Sequence, residues 1–126
     1  MPPDPPFAVH IRTRGTVPIV ELHGEIDLMA VPYISLRLDG LAHRERGGHP
    51  QDLVIDLTAV TFMDCRGLSV LVHARALTTA RHGQLHLTNV PAPVRRLLHL
   101  TGLESAFPSR TPASAAYQPP VGDAVQ

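Results

Sequence analysis

The sequence contains no lysine, a single cysteine and no excess charge of either sign. Without lysine the chain has neither the amine of a Schiff base nor the lysine of a P-loop, which excludes both chemistries. The lone Cys65 excludes an internal disulfide and a cysteine-based structural zinc site, and it fits a reducing cytosol. The 11 basic side chains, all arginine, balance 11 Asp and Glu. Proteins that bind duplex nucleic acid or anionic membranes need a cationic face, so we expect neither partner.

Long apolar runs are also missing. No stretch approaches the roughly 20 residues that span a membrane, and residues 1–6 lack the charged and apolar regions of a secretory signal. We therefore expect a soluble, cytoplasmic protein. The length of 126 residues fits one domain. Proline-rich composition at both ends predicts a folded body over residues 7–108, with disordered tails at residues 1–6 and 109–126.

Alternating strand and helix patterns predict the element order β-β-α-β-α-β-α. The first two strands are separated by Gly15, which predicts a hairpin. The third strand, residues 53–55, is continuously apolar, as is typical of a central strand covered on both faces, and it ends at Asp56. The second helix begins at Asp64, and Gly83 is the expected residue just after its end. This order predicts an α/β fold, a mixed β-sheet packed with helices.

The remaining details of the helices come from their apolar stripes. The third helix starts near residues 91–93 and ends at Gly102 in a Schellman motif. A short strand near Ala106 is expected to follow it. The inward face of the second helix is predicted to carry Leu68, Leu71, Val72 and Leu77.

The most informative segment connects the third strand to the second helix. Asp64 is placed to cap the helix through its carboxylate, with Cys65 at the first helical position. Free backbone N–H groups and the positive end of the helix dipole converge there, so a negative charge is stabilised. Gly67 is expected to let another polypeptide approach the backbone closely. The segment is therefore suited to a charge that is added or removed.

Five short motifs at consistent spacing resemble the STAS domain family, which comprises anti-sigma factor antagonists and related regulatory modules. The resemblance covers about residues 7–107 and implies a small sheet with helices on one side. It also implies a non-enzymatic module that sequesters an anti-sigma factor by protein–protein contact. The motifs are residues 24–28 (GEIDL), 54–57 (VIDL), 61–64 (TFMD), 67–68 (GL), and 93–97 (PVRRL) with 100–103 (LTGL).

The resemblance also bears on regulation. In phosphorylatable members, an Asp-Ser-Ser-Gly-Leu pattern occupies the helix start, and an anti-sigma factor of the GHKL serine-kinase type phosphorylates the first serine. The unphosphorylated form binds that kinase and frees a sigma factor, and phosphorylation releases it. By resemblance Asp64 corresponds to the aspartate, Cys65 to the phosphoacceptor and Arg66 to the second serine. A thiol is not an ordinary serine-kinase substrate, so the resemblance implies binding without release by phosphorylation at this position.

The partner surface implied by the resemblance surrounds the start of the second helix. Arg66 places a cation in the first turn, where it opposes the helix dipole by roughly 0.3–1 kcal/mol if exposed. Two interpretations follow: Arg66 folds back toward Asp64 or Asp27, or it presents its charge to an acidic partner surface. The expected partner-binding residues are Asp27, Asp64, Cys65, Arg66, Gly67 and Ser69.

Three other interpretations stay open. In the first, the chain is a non-phosphorylatable STAS subunit of a transporter-associated or stressosome-like complex. Alternatively it is a redox sensor, because a helix N-terminus and the adjacent Arg66 favour a reactive Cys65 thiolate. Finally, Ser69, Thr58 and Thr61 are candidate substitute phosphoacceptors.

Patterns for catalysis and metal binding are absent. No Ser-His-Asp set or carboxylate pair stands out, and Asp56 is interpreted as a loop-shaping carboxylate. The eight histidines are expected at the surface; His82 and His86 flank a helix–strand junction, whereas His10 and His23 lie on neighbouring strands. We therefore expect no catalytic residue, no metal and no cofactor.

Overall fold

Residues 6–44 and 51–107 are described by the computed structural model. Within them, strands β1 (Phe7–Arg14), β2 (Val17–Ile26), β3 (Leu53–Met63) and β4 (Leu85–Thr88) form one sheet in the order β1-β2-β3-β4. The helices are α1 (Val31–Arg44), α2 (Cys65–Ala80) and α3 (Ala92–Leu100). β1 is antiparallel to β2, whereas β2, β3 and β4 run parallel. The predicted α/β fold and element order are confirmed; the predicted tails lie outside the described residues, apart from Pro6.

The β1–β2 hairpin turns at Gly15, as predicted. Gly15 has a φ of 63°, in the left-handed region that glycine adopts without a steric penalty. Pro18 pairs with Thr13 of β1, but the pairing of β2 with β3 begins one residue later, at Ile19. The missing proline N–H therefore leaves no gap in the ladder between β2 and β3.

The third strand is longer than its sequence pattern predicts. β3 continues past Asp56 to Met63, so the expectation that it ends at Asp56 is wrong. Its second half stays paired with β2 as far as Ile26 and Met63, through two register shifts. The pairing of β3 with β4, by contrast, ends at Asp56 and Thr88. Tertiary pairing with β2, which the local pattern does not contain, extends the strand.

Helix α2 ends in a Schellman motif, but Gly83, contrary to the prediction from the sequence, is not the residue just after the helix end. His82 takes the left-handed conformation, with φ 62°, and Gly83 N–H donates to the Thr78 carbonyl at 2.8 Å. A Cβ on Gly83 would lie 1.9 Å from the Gln51 carbonyl oxygen, so this glycine allows close packing rather than a positive φ.

The inward face of α2 also differs from the prediction at one position. Leu68 and Leu71 are buried as expected, but Val72 is 45% exposed. Val70 and Ala74 are buried in its place, because the face of α2 that packs on β3, β4 and α1 turns Val72 toward solvent.

Helix α3 begins and ends as predicted. Gly102 has φ 75°, and Leu103 N–H donates to the Leu98 carbonyl at 2.9 Å, which completes the predicted Schellman motif. The chain then forms a 3₁₀ turn at Glu104–Ala106 instead of the short strand expected near Ala106.

The core lies between the sheet and the helices. Leu53, Val54 and Ile55 are all buried, and successive residues of a strand point to opposite faces. Both faces of the sheet are therefore covered at this point, as the continuous apolar run predicted. Ile34 and Leu38 of α1 join the same core, which brings α1 against α2.

Candidate functional site

The candidate site lies at the edge of the sheet where β2 and β3 end. These strands are parallel, and their last residues, Ile26 and Met63, are paired. Asp27 directly follows β2, and Asp64 directly follows β3. The carboxyl ends of parallel strands in α/β sheets are where binding sites commonly form. The fold thus brings two residues of the predicted partner surface together, although they are far apart in sequence.

Asp64 caps helix α2. Its Oδ1 accepts a hydrogen bond from the Gly67 N–H at 2.9 Å, and its backbone is extended. Cys65 is the first helical residue, and its side chain is exposed. The cap and the position of the thiol are as the sequence predicted. The group at position 65 is therefore held by a capped helix start and points to an accessible surface.

Gly67 serves the packing of the chain itself. A Cβ at this position would lie 2.0 Å from the Ile26 carbonyl oxygen, and the glycine is buried. The end of β2 occupies the space that a side chain at position 67 would need, so packing within the chain accounts for the glycine. The close approach fixes the start of α2 against the end of β2.

Asp27 shapes the connection between β2 and α1. Its Oδ1 accepts a hydrogen bond from the Met29 N–H at 3.0 Å, and its carbonyl accepts from Ala30 and Val31. In this geometry the aspartate side chain and carbonyl together close the turn. The turn presents Leu28 and Met29 at the surface next to the start of α2.

Arg66 does not fold back. Within the described residues, its guanidinium forms no hydrogen bond or ion pair with Asp27 or Asp64, and the side chain is exposed. Ser69 is also exposed, and its hydroxyl donates to the Arg66 carbonyl at 2.6 Å. Of the two interpretations of Arg66, the structure supports a cation presented to the outside.

Exposed apolar side chains lie close in sequence to the paired ends of β2 and β3. Met29 is 73% exposed, and Leu28 and Phe62 are each about half exposed. None of the three was predicted from the sequence. A signal was present, because Leu28 and Met29 precede the apolar stripe of α1, and Phe62 alternates with the buried Met63 along β3. We call Leu28, Met29, Phe62, Cys65 and Arg66 the docking edge.

Other polar residues singled out in the sequence have structural partners. Asp56 Oδ1 accepts from the Thr58 N–H at 2.9 Å and from its hydroxyl at 2.6 Å. It also accepts from Asn89 Nδ2 at 3.3 Å. Asp56 thereby ties β3 to the loop after β4, in agreement with a loop-shaping role. Thr61 is exposed on β3.

A charged cluster lies on β1 and β2, apart from the docking edge. Arg12 Nε donates to Glu21 Oε2 at 2.7 Å, and His23 Nε2 lies 3.4 Å from the other carboxylate oxygen. The hydrogen bond from Arg12 lowers the pKa of Glu21 below its usual value, and His23 adds to this effect. The rings of His10 and His23 meet edge to face at 4.6 Å, as their predicted neighbouring strands allow.

The histidines form no metal site in the described parts of the chain, where no group of three His, Cys, Asp or Glu is placed to hold a metal. His86 departs from the surface position expected for it. It is 5% exposed, with Nε2 4.0 Å from Asp52 Oδ2, because it pairs with Val54 in the covered region of the sheet. Every helix of residues 6–44 and 51–107 is too short or too polar to cross a membrane.

Comparison with known proteins agrees with this architecture. The STAS domain model matches residues 8–116. The chain is 32% identical over 95 residues to an anti-sigma F factor antagonist of Paenibacillus polymyxa, covering 75% of this chain and 78% of that protein. It is 36% identical over 85 residues to an anti-sigma-B factor antagonist of Bacillus subtilis, covering 68% and 73%.

A solved structure agrees as well. The crystal structure of an anti-sigma factor antagonist from Mycobacterium paratuberculosis has a TM-score of 0.70 at 27% identity, covering 93% of this chain and 89% of that chain. The family match over most of the sequence, these relatives and the shared fold lead to one conclusion. The chain belongs to the STAS domain family.

Proposed function

We propose that this protein is an anti-sigma factor antagonist that binds its partner through the docking edge and is not released by phosphorylation at position 65. The observation that carries the proposal is the exposed Cys65–Arg66 pair at a capped helix start, bordered by exposed apolar side chains. Exposed apolar groups beside charged ones are typical of protein–protein contact sites. The protein acts as a cytoplasmic binding module rather than an enzyme.

The proposed partner is an anti-sigma factor of the GHKL serine-kinase type. This proposal is supported by the anti-sigma factor antagonists among the relatives. The exposed Arg66 favours an acidic patch on the partner, because its guanidinium has no carboxylate to pair with in the described residues. Asp27, Asp64 and Gly67 act indirectly, since they hold the turn and the helix start.

Cys65 removes the off-switch. A phosphate on a hydroxyl at this position would add about two negative charges at the helix start, where backbone N–H groups stabilise it. The Cys65 thiol offers no hydroxyl. The partner therefore stays bound in the presence of ATP, and regulation rests on the amount of this protein.

The partner surface is tested by affinity purification from the native host, followed by calorimetry with the recovered anti-sigma factor. Met29→Asp should weaken binding at least about tenfold, because a charge is then buried in the contact. Leu100→Asp is the matched control, since Leu100 on α3 is equally exposed at 73%. Failure to recover an anti-sigma factor, or equal affinities of the two variants, contradicts the proposal.

The missing switch is tested with the same kinase and ATP. Cys65→Ser should accept phosphate and dissociate, whereas the natural chain should remain unmodified and bound. Peptide mapping by mass spectrometry locates the phosphate. Phosphate on Cys65, or on Ser69, Thr58 or Thr61 with loss of binding, contradicts constitutive binding.

The exposure of Cys65 supports a second candidate function, a thiol-dependent redox response. In that case mild peroxide should change the affinity of the natural chain for the partner and leave the affinity of Cys65→Ser unchanged. Equal affinities before and after oxidation remove this candidate.

A further inference from the structure

A groove on another part of the surface lies between the edge strand β1 and helix α1. Its volume is about 500 Å³, within the range of small-molecule sites. Ile11 comes from β1, Pro18 from β2, and Leu36 and Leu41 from α1, and together they form its apolar wall. Leu36 is 70% exposed, so none of residues 6–44 and 51–107 covers this large apolar side chain.

The charged side chains described in the lining of the groove are all basic. Arg12 and Arg37 line it, and no acidic residue does so among the described lining residues. Arg12 is already hydrogen-bonded to Glu21. Among the described residues, Arg37 has only neutral partners. It donates to the Tyr33 hydroxyl at 3.2 Å, and its guanidinium lies 6.0 Å from the Tyr33 ring centroid. Tyr33 thus holds a guanidinium whose charge no carboxylate of the described chain balances.

Gly40 keeps the groove open. It lies within α1 and lines the groove, and a Cβ at this position would meet no atom within 4 Å. Neither a positive φ nor a close backbone approach requires glycine here. The space beside Gly40 is therefore open, and only a side chain larger than that of alanine would extend far into the groove.

We propose that the groove binds an amphipathic carboxylate, a fatty acid with a medium-length alkyl chain. The alkyl chain lies along Ile11, Pro18, Leu36 and Leu41 and passes over Gly40. The carboxylate accepts charge-assisted hydrogen bonds from Arg37, whose planar guanidinium suits a bidentate contact. Arg12 is already paired with Glu21, so Arg37 is the residue assigned to the carboxylate. This inference is independent of the proposed function.

The probe is sodium decanoate, kept below its micelle concentration and titrated into the full chain while amide shifts are recorded by NMR. Decanoate should saturate a single site, with shifts concentrated at residues 11–13 and 36–41. Decanol, which has the same chain without the charge, should bind about tenfold more weakly, because the charged hydrogen bonds to Arg37 are lost.

Two pairs of variants distinguish binding in the groove from nonspecific binding to the protein surface. Arg37→Gln should weaken decanoate binding about tenfold, whereas Arg96→Gln, on the exposed face of α3, should leave it unchanged. Gly40→Leu should fill the groove and abolish binding, whereas Gly40→Ala should retain it. Circular dichroism checks that each variant folds.

Several outcomes overturn the proposal. Shifts that do not saturate, or that spread over the whole surface, show that decanoate has no site here. Equal affinity of Gly40→Leu and Gly40→Ala places the ligand elsewhere. Equal affinity for decanoate and decanol shows that Arg37 does not bind the carboxylate.

Discussion

Gly67 shows how one residue can look like a binding feature and act as a packing feature. In the sequence it sits in the first turn of α2, where an open backbone suggests an approaching partner. In the structure the Ile26 carbonyl fills that space. The docking edge therefore depends on Gly67 for its shape, because this contact sets where Cys65 and Arg66 emerge.

Gly67→Ala should lower the free energy of unfolding by about 1–3 kcal/mol, because the added methyl group overpacks against the Ile26 backbone. Urea denaturation measures the change. Gly40→Ala is the matched control: its methyl group meets nothing, and it should raise stability by up to about 1 kcal/mol. A Gly67→Ala protein as stable as the natural one would show that the contact is not tight.

The Arg12–Glu21 pair predicts a dependence of stability on pH. The folded-state pKa of Glu21 is lowered, first by the Arg12 hydrogen bond. The ionised pair thus adds stability that is complete above the unfolded pKa of about 4.3 and is lost as pH falls through the folded pKa. Arg12→Gln should raise the Glu21 pKa in an NMR titration.

The same variant should lower stability at pH 7 by at most about 1 kcal/mol, because the Arg12 side chain is 45% exposed. The difference from the natural chain should shrink as the pH falls below about 4. Arg96→Gln, which lacks such a partner, is the control and should leave the Glu21 pKa unchanged. A difference in stability that persists at low pH would assign the effect of Arg12 to packing instead of charge.

At the scale of elements, helix ends followed sequence rules more closely than strand ends. Asp64 and Gly102 are where the capping patterns predicted them. β3, by contrast, extends beyond its apolar pattern, because β2 continues to pair with it as far as Met63. Caps are formed by neighbours in sequence, whereas strand length depends on a partner strand from elsewhere in the chain.

The end of α2 offers a test at this scale. His82 holds a left-handed conformation with φ 62°, which is costly for a residue with a Cβ. His82→Gly should therefore raise the free energy of unfolding by about 0.5–1 kcal/mol, as measured in urea. The control Thr79→Gly, at an exposed site inside the helix, should lower it by a similar amount.

At the scale of the molecule, the sheet separates two surfaces. The docking edge lies where β2 and β3 end, whereas the groove lies beside β1. Strands β1 and β4 are the two edge strands of the sheet. Burial of both faces at residues 53–55 makes β3 the centre on which the helices depend. Substitutions at residues 53–55 should lower the free energy of unfolding, and they should affect the docking edge and the groove equally.

Ile55→Ala should cost about 2–5 kcal/mol, because Ile55 is fully buried in the central strand and the lost methyl groups leave a cavity. Val72→Ala should change stability by about 0.5 kcal/mol or less, since Val72 faces solvent. Urea denaturation of both variants tests the corrected orientation of α2. A large loss for Val72→Ala would restore the inward orientation that the sequence suggested.

The sequence by itself determined the order of elements, the cap at Asp64, the helix end at Gly102 and the family, because periodicity, capping residues and short motifs are local in the chain. It also placed Cys65 at the start of a helix. Only the tertiary structure decided that Gly67 packs on Ile26, that β3 reaches Met63, and that Leu28, Met29 and Phe62 are exposed near the paired ends of β2 and β3. These facts depend on which segments meet in space, and no stretch of neighbouring residues encodes that meeting.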